Sequence, residues 1–200
     1  MKVLGARVIV KEIKLEDTSK GGIFIPGQEK TQTNRGVVIS MGDGSMTEDG
    51  TKIPMVVAVG DEVIYSQFSG SPIEVDGDIF LILNERDILC VMGGDGTRVI
   101  GGRCLVKEVK LDEVSKGGIF IPGQDKLQTN KGVVVSVGEG GTLDNGHKYP
   151  MSVDMGDTLI YASFAGSPIV IDGEVYMVLN ERDILCVFDE EEAKTINLAR

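Results

Sequence analysis

The sequence predicts an all-β protein made of two small β-barrels in tandem, and three observations carry that reading. First, the chain is one sequence written twice. Ser19 to Gln28 reads SKGGIFIPGQ and recurs at Ser115 to Gln124, and LNERDILCV at Leu83 to Val91 recurs at Leu179 to Val187. Slid along itself by that interval the chain aligns without a gap, with more than half the positions identical, at a period suited to a small domain and far too long for a solenoid unit. Second, each copy is a succession of short β-branched runs broken by Gly-containing turns. Third, no window carries a helical period except the acidic tail, Asp189 to Leu198.

The runs follow one another in order. Val8-Ile9-Val10 with Lys11-Glu12-Ile13, and Cys104-Leu105-Val106 in the second copy, open each repeat as a strand. Gly36 to Ser40, Glu62 to Tyr65, Ile73 to Val75 and Ile79 to Leu83 are the next strands. Asp76-Gly77 and Asp172-Gly173 are two-residue hairpin turns of type I′, since both central residues must take positive φ. Asp49-Gly50 and Asn145-Gly146 mark a second, more polar hairpin. The repeats span residues 1–92 and 97–188, with an acidic C-terminal tail over 189–200. Only Gly93 to Thr97 separates Met92 from Arg98, a stretch of at most about 18 Å. Its Gly-Gly-Asp-Gly chemistry admits either a hairpin crossing from one barrel to the next or a flexible linker between independent domains.

Composition narrows the function. A net charge of −11 argues against nucleic acid, whose phosphates call for basic patches. No apolar run reaches the roughly 20 residues of a membrane helix, and the first residues lack the apolar core of a signal peptide. Three cysteines without framework spacing point to reduced thiols and a cytoplasmic location. Cys90 and Cys186 sit at matching places in apolar strands and read as small buried hydrophobes, as does Cys104, which replaces Val8.

One segment does not read as core. Between the first strand and Gly36 the chain is polar, yet Gly21-Gly22 and Pro26-Gly27 bracket the wholly apolar Ile23-Phe24-Ile25. The second copy keeps Gly117, Gly118, Ile119, Phe120, Ile121 and Pro122, while its neighbours drift (Thr18 to Val114, Thr31 to Leu127). The triplet is either a short strand tucked into the barrel or a recognition element on a long mobile loop that orders in a partner's groove. Burying three such side chains yields about 5–8 kcal/mol. Ordering five or six backbone residues costs about 1–2 kcal/mol each and offsets most of that. A single loop would therefore bind weakly, and useful affinity needs several acting together.

The KGGIFIP segment, the second-half stretch VGDEVIYSQFSGSPIEVDGDIFLILNERDILCV and the hairpin stretches GDGSMTEDGTKIPM and GEGGTLDNGHKYPM resemble the small co-chaperonins, the GroES-like lids of the chaperonin folding chamber. The resemblance covers nearly all of both copies. It implies two GroES-like barrels, each with a mobile loop and a roof β-hairpin, assembled as a homo-oligomeric ring. Gly21, Gly22, Ile23, Phe24, Ile25 and Pro26, with Gly117, Gly118, Ile119, Phe120, Ile121 and Pro122, would then bind the apical domains of a large GroEL-like chaperonin. The lid would close the chamber over a non-native substrate protein, and ATP hydrolysis would belong to the chaperonin. In the family the first strand of one subunit pairs with the last strand of its neighbour, so the join here would fuse two ring neighbours in register. The family's Pro-Leu-x-Asp-Arg opening is replaced by Val3-Leu4-Gly5-Ala6-Arg7 and Val99-Ile100-Gly101-Gly102-Arg103. Two modules per chain also supply only even module numbers, against the family's usual seven.

Other chemistries fit less well. An enzyme is not expected: there is no strand-Gly-x-Gly-x-x-Gly-helix unit for a dinucleotide, and no cofactor is implied. The sole histidine, His147, lies beside a hairpin turn and reads as a solvated turn residue, with no metal site in prospect. The carboxylates of GDGSMTEDG lack the alternation and central Gly of a calcium loop. Asn84 to Asp87 and Asn180 to Asp183 read as a turn and strand start with solvated or paired charges. The alternative to a co-chaperonin is a non-catalytic, self-assembling peptide-binding or scaffold protein. Exposed Ile-Phe-Ile would then be a solubility liability without a purpose.

Overall fold

The first strand shows how each sheet is built. In β1 (Arg7–Glu12) the triplet Val8, Ile9, Val10 is buried and Lys11 and Glu12 are exposed, so the strand passes from the core to the rim within six residues. These details come from a computed structural model that describes residues 2–13, 34–47, 50–93, 96–109, 129–143 and 146–188. The chain falls into two units, residues 1–100 with 142–148, and residues 101–141 with 149–200.

The first unit continues with β2 (Asn34–Met41), the short hairpin strands β3 (Ser45–Met46) and β4 (Lys52–Ile53), then β5 (Glu62–Tyr65) and β6 (Ser71–Val75). It ends with β7 (Asp78–Asn84), β8 (Ile88–Gly93) and β9 (Gly96–Val99). Seven of these form one antiparallel sheet in the order β6-β7-β1-β2-β5-β8-β9, and β3 and β4 pair separately. Opposite consecutive residues Ile9 and Val10 of β1, β2 carries the extra residue Ile39, and opposite Ile64 and Tyr65 of β5, β8 carries the extra residue Leu89; these bulges in β2 and β8 raise the local twist and curl the sheet round its core. Val8, Val10, Val38, Val63, Tyr65, Leu83 and Ile88 fill that core.

The second unit repeats the plan with β10 (Arg103–Glu108), β11 (Thr129–Val137), β14 (Thr158–Ala162), β15 (Ser167–Ile171), β16 (Glu174–Asn180) and β17 (Ile184–Phe188). The strands β12 (Gly141–Thr142) and β13 (Lys148–Tyr149) pair as the hairpin of the second repeat. Its main sheet has six strands, in the order β15-β16-β10-β11-β14-β17. Cys104, Val106, Val134, Leu159, Tyr161 and Leu179 form the core, with Cys104 in the place Val8 holds in the first unit.

Local chemistry explains the joins. Asp76 and Gly77 have φ of 54° and 86°, and Asp172 and Gly173 have 52° and 83°, as the type I′ reading requires. Gly36 lies where β2 crosses β1, and a Cβ there would collide with the Val10 side chain and come within 2.8 Å of the Lys11 carbonyl. The Asn-Glu-Arg-Asp motif forms a single 3-10 turn, Glu85–Asp87 and Glu181–Asp183. The Glu85 carboxylate accepts the Val56 N–H, and Glu181 accepts the Ser152 N–H at 2.7 Å. That turn thereby pins the segment that follows the hairpin in each repeat.

The link between repeats is a hairpin, with Gly93 opposite Gly96 and Cys90 opposite Val99. The sheet of the first unit therefore runs past the end of the first repeat and takes in the opening residues of the second. At the far end of the chain the sequence reading needs a correction. Cys90 is buried as expected, but Cys186 is exposed. Cys90 lies on β8 between β5 and β9, whereas Cys186 lies on β17, whose single described neighbour is β14. The acidic tail, 189–200, lies outside the described residues.

Candidate functional site

All twelve residues singled out for recognition, Gly21 to Pro26 and Gly117 to Pro122, lie outside the described residues. What the structure does describe is the pair of stems from which each segment leaves and to which it returns. In the first unit Lys11 lies opposite Val37 and Glu12 opposite Gly36, and the Ile13 N–H donates to the Arg35 carbonyl at 2.9 Å. In the second, Lys107 faces Val133, Glu108 faces Gly132, and Val109 N–H donates to the Lys131 carbonyl at 2.9 Å. Exit and re-entry are thus adjacent antiparallel strands, fixed by ladder hydrogen bonds to the last described residue.

A buried tyrosine lies at the foot of each stem. Asn34 lies opposite Tyr65, and Asn130 opposite Tyr161, so each tyrosine closes the sheet under its stem. Burial first, and then the Glu12 carboxylate, pushes the Tyr65 phenol up to about 12; burial and Glu108 do the same for Tyr161. Among the described residues the buried Tyr161 hydroxyl has no hydrogen-bond partner. Arg35 pairs with Glu62 at 3.7 Å on the first stem. On the flank, Lys11 lies over the Phe80 ring and near Asp78, and Lys107 over Tyr176 with Glu174 at 2.7 Å.

The hairpins carry the other distinctive surface. Ser45 lies opposite Ile53 and Met46 opposite Lys52, with Thr47 N–H donating to the Thr51 carbonyl at 2.9 Å. Met46, Leu143 and Tyr149 are exposed there, and Lys52 pairs with Asp43 at 3.2 Å. His147 is exposed on the second hairpin, as the sequence reading has it. Among the described residues no three His, Cys, Asp or Glu side chains converge in a way that would hold a metal.

Sequence reasoning missed one feature altogether. Phe68 and Phe164 are 94 % and 98 % exposed on the turn between β5 and β6 and its counterpart between β14 and β15. Phe68 also has a φ of 64°, a left-handed conformation uncommon for an aromatic residue. The available signal was a phenylalanine kept in both copies two residues before Gly70 and Gly166, in a stretch whose other residues are turn formers.

Comparison with known proteins agrees with this architecture at both scales. A family model described as Chaperonin 10 Kd subunit matches twice, over residues 1–92 and 97–188. The chain is 33 % identical to the "20 kDa chaperonin, chloroplastic" of Spinacia oleracea, over 94 % of this chain and 74 % of that one. It is 29 % identical to the protein of the same name from Arabidopsis thaliana, over 94 % and 75 %. A "Co-chaperonin GroES" from Exiguobacterium sibiricum is 46 % identical over 46 % of this chain and 97 % of its own length, the share expected of one repeat against a single-module protein. Two curled sheets of one plan, two hairpins, two stem pairs and a family match to each repeat lead to one conclusion: this chain belongs to the chaperonin 10 Kd subunit family, which it contains twice in tandem.

Proposed function

We infer that the protein is a co-chaperonin that caps a large GroEL-like chaperonin and assists its ATP-dependent folding of non-native proteins. The observation that carries this is the double match to the chaperonin 10 Kd subunit family across both repeats, alongside relatives named as a 20 kDa chaperonin and as co-chaperonin GroES. Docking is assigned to Ile23, Phe24 and Ile25, with Ile119, Phe120 and Ile121, flanked by Gly21, Gly22, Pro26, Gly117, Gly118 and Pro122. Eleven residue-to-residue steps separate Ile13 from Phe24, a reach of at most about 35–40 Å from the stem. Each triplet gains little alone, so affinity arises from several triplets held on one assembly.

The assembly is a ring of several chains, and the enclosed substrate is any non-native protein small enough to enter. The lid closes the chamber and performs no chemistry of its own. Its location is a reducing aqueous compartment: the cytoplasm on the evidence of the thiols, or the plastid stroma, as the chloroplastic names of two relatives favour.

Gel filtration with a chaperonin and nucleotide tests the docking role. The wild-type chain is expected to co-migrate with the chaperonin. Phe24→Asp with Phe120→Asp is expected to end that co-migration while leaving the oligomer's own size unchanged. Co-migration of the double variant at the wild-type level would remove the triplets from the site.

A further inference from the structure

The two stems are tied down on opposite sides. Each has an exit strand, β1 or β10, flanked by β7 or β16, and a re-entry strand, β2 or β11, flanked by β5 or β14. In the first repeat the stronger tie is on the re-entry side. Arg35 lies opposite Ile64 and Val37 opposite Glu62, so Arg35 and Glu62 are diagonal neighbours across β2 and β5, with Nη1 3.7 Å from Oε1. The Arg35 side chain is only 16 % exposed, and the carbonyl of the same residue accepts the Ile13 N–H that closes the stem. The exit side is slacker: Lys11 stands 3.7 Å from Asp78, with both side chains more than half exposed.

The second repeat reverses this. Lys131 and Thr158 hold the places of Arg35 and Glu62, and threonine brings no charge to the diagonal. On the exit side Glu174 and Tyr176 stand where the first repeat has Asp78 and Phe80. One Glu174 oxygen lies 2.7 Å from Lys107 Nζ and accepts the Tyr176 hydroxyl at 2.9 Å, while the Lys107 ammonium sits over the Tyr176 ring. The extra methylene of glutamate and the phenol oxygen complete a triad of charge-assisted hydrogen bonds that Asp78 and Phe80 do not form with Lys11.

We propose that Arg35 with Glu62 positions the first docking segment, and Lys107 with Glu174 and Tyr176 the second, so that the two segments of one chain are held from opposite strands and are not equivalent. The proposal rests on the docking role assigned above to the triplets; these are positioning residues that act through the stems. Fraying of a stem adds residues to the segment that has to be ordered on docking, and each added residue weakens binding. A clamp that keeps the last ladder bond closed lowers that cost. The first clamp is the better sheltered from water, so salt screens it less than the second.

The two repeats differ at the residues that make each clamp, so the test exchanges twins in the full chain. Glu62→Thr copies Thr158, and Glu174→Asp with Tyr176→Phe copies Asp78 and Phe80. Amide hydrogen exchange, with no chaperonin present, reads the Ile13 and Val109 N–H groups, which make the last described bond of each stem. Glu62→Thr is expected to speed exchange at Ile13 about 3-fold and to leave Val109 unchanged. The Glu174 and Tyr176 double variant is expected to speed Val109 about 2-fold and to leave Ile13 unchanged. Arg35→Lys, which keeps the charge, should exchange at Ile13 more slowly than Glu62→Thr. The Val8 and Cys104 amides, buried in the same exit strands, should not change in any variant.

Binding to a nucleotide-bound chaperonin is then measured on proteins with one triplet altered. With Phe120→Asp, which leaves the first triplet, Glu62→Thr is expected to weaken binding about 3-fold; with Phe24→Asp, which leaves the second, the Glu174 and Tyr176 changes are expected to weaken it about 2-fold. Each clamp change should have no effect on the other background. Equal exchange at both stems, faster exchange that spreads to Val8 and Cys104, or weakening on the wrong background would each overturn the proposal. Failure of every protein to bind, wild type included, would instead remove the docking role, while the exchange pattern still decides the clamps.

Discussion

Three buried weak acids give the protein an alkaline limit. Burial pushes the Cys104 thiol up to about 12 from 9.0, with Glu181 adding to it, and the phenols of Tyr65 and Tyr161 to about 12 from 10.0. The unfolded chain gives up these protons at the lower values while the folded chain retains them. Their stabilisation is therefore complete below about pH 9 and is lost as the pH rises towards 12, at up to about 1.4 kcal/mol per pH unit for each group. Thermal melts between pH 7 and 11 should show a steep fall in midpoint above pH 9. Cys104→Val, which installs the residue of its twin Val8, should flatten that fall while leaving the neutral-pH midpoint within a few degrees. Phe68 gives a second test at this scale. Its left-handed backbone costs about 1 kcal/mol that glycine does not incur, and its ring is in solvent, so Phe68→Gly should raise stability by about that amount in urea unfolding. Phe164 is not left-handed, and Phe164→Gly should bring no gain.

At the scale of elements, the 3-10 turn ties distant parts of each unit together. Replacing Glu85 or Glu181 with Ala leaves the Val56 or Ser152 N–H without its carboxylate, at a cost of about 1–2 kcal/mol in urea unfolding. A loss below about 0.3 kcal/mol at both positions would show that water replaces the carboxylate freely. Which elements could be read from the sequence follows from how local their causes are. The Asp-Gly hairpins were legible because the requirement for positive φ is met by the two residues themselves. The β5 bounds, Glu62–Tyr65, were legible for a similar reason, since a β-branched run ends at turn residues on both sides. Cys186 was misread because burial depends on a neighbouring strand: its twin Cys90 has identical flanking residues and differs in having β9 beside it. The same non-local cause left the β8–β9 join open between hairpin and linker. Phe68 and Phe164 were overlooked because a phenylalanine in a β-rich repeat reads as core, and the turn that turns it outward depends on Gly70 and Gly166 two residues on.

For the whole molecule, tandem fusion joins the two repeats by strand pairing as well as by the peptide chain. β8, the last strand of the first repeat, pairs with β9, the opening of the second, within one chain, and each chain carries two Ile-Phe-Ile triplets. The Ile-Phe-Ile triplets stand out in the sequence as an apolar island in a polar, Gly-bracketed stretch, while the chaperonin proposed as their partner rests on the likeness of the repeats to a known family. Chaperonin affinity should therefore depend on how many triplets the assembly presents. The direct measurement is a titration of the wild-type protein, Phe24→Asp, Phe120→Asp and the double variant against a nucleotide-bound chaperonin, read by fluorescence anisotropy. Each single variant should bind at least about 10-fold more weakly than the wild type, and the double variant should show no saturable binding. Wild-type affinity in the double variant would contradict docking through the triplets, and wild-type affinity in both singles would contradict their acting together.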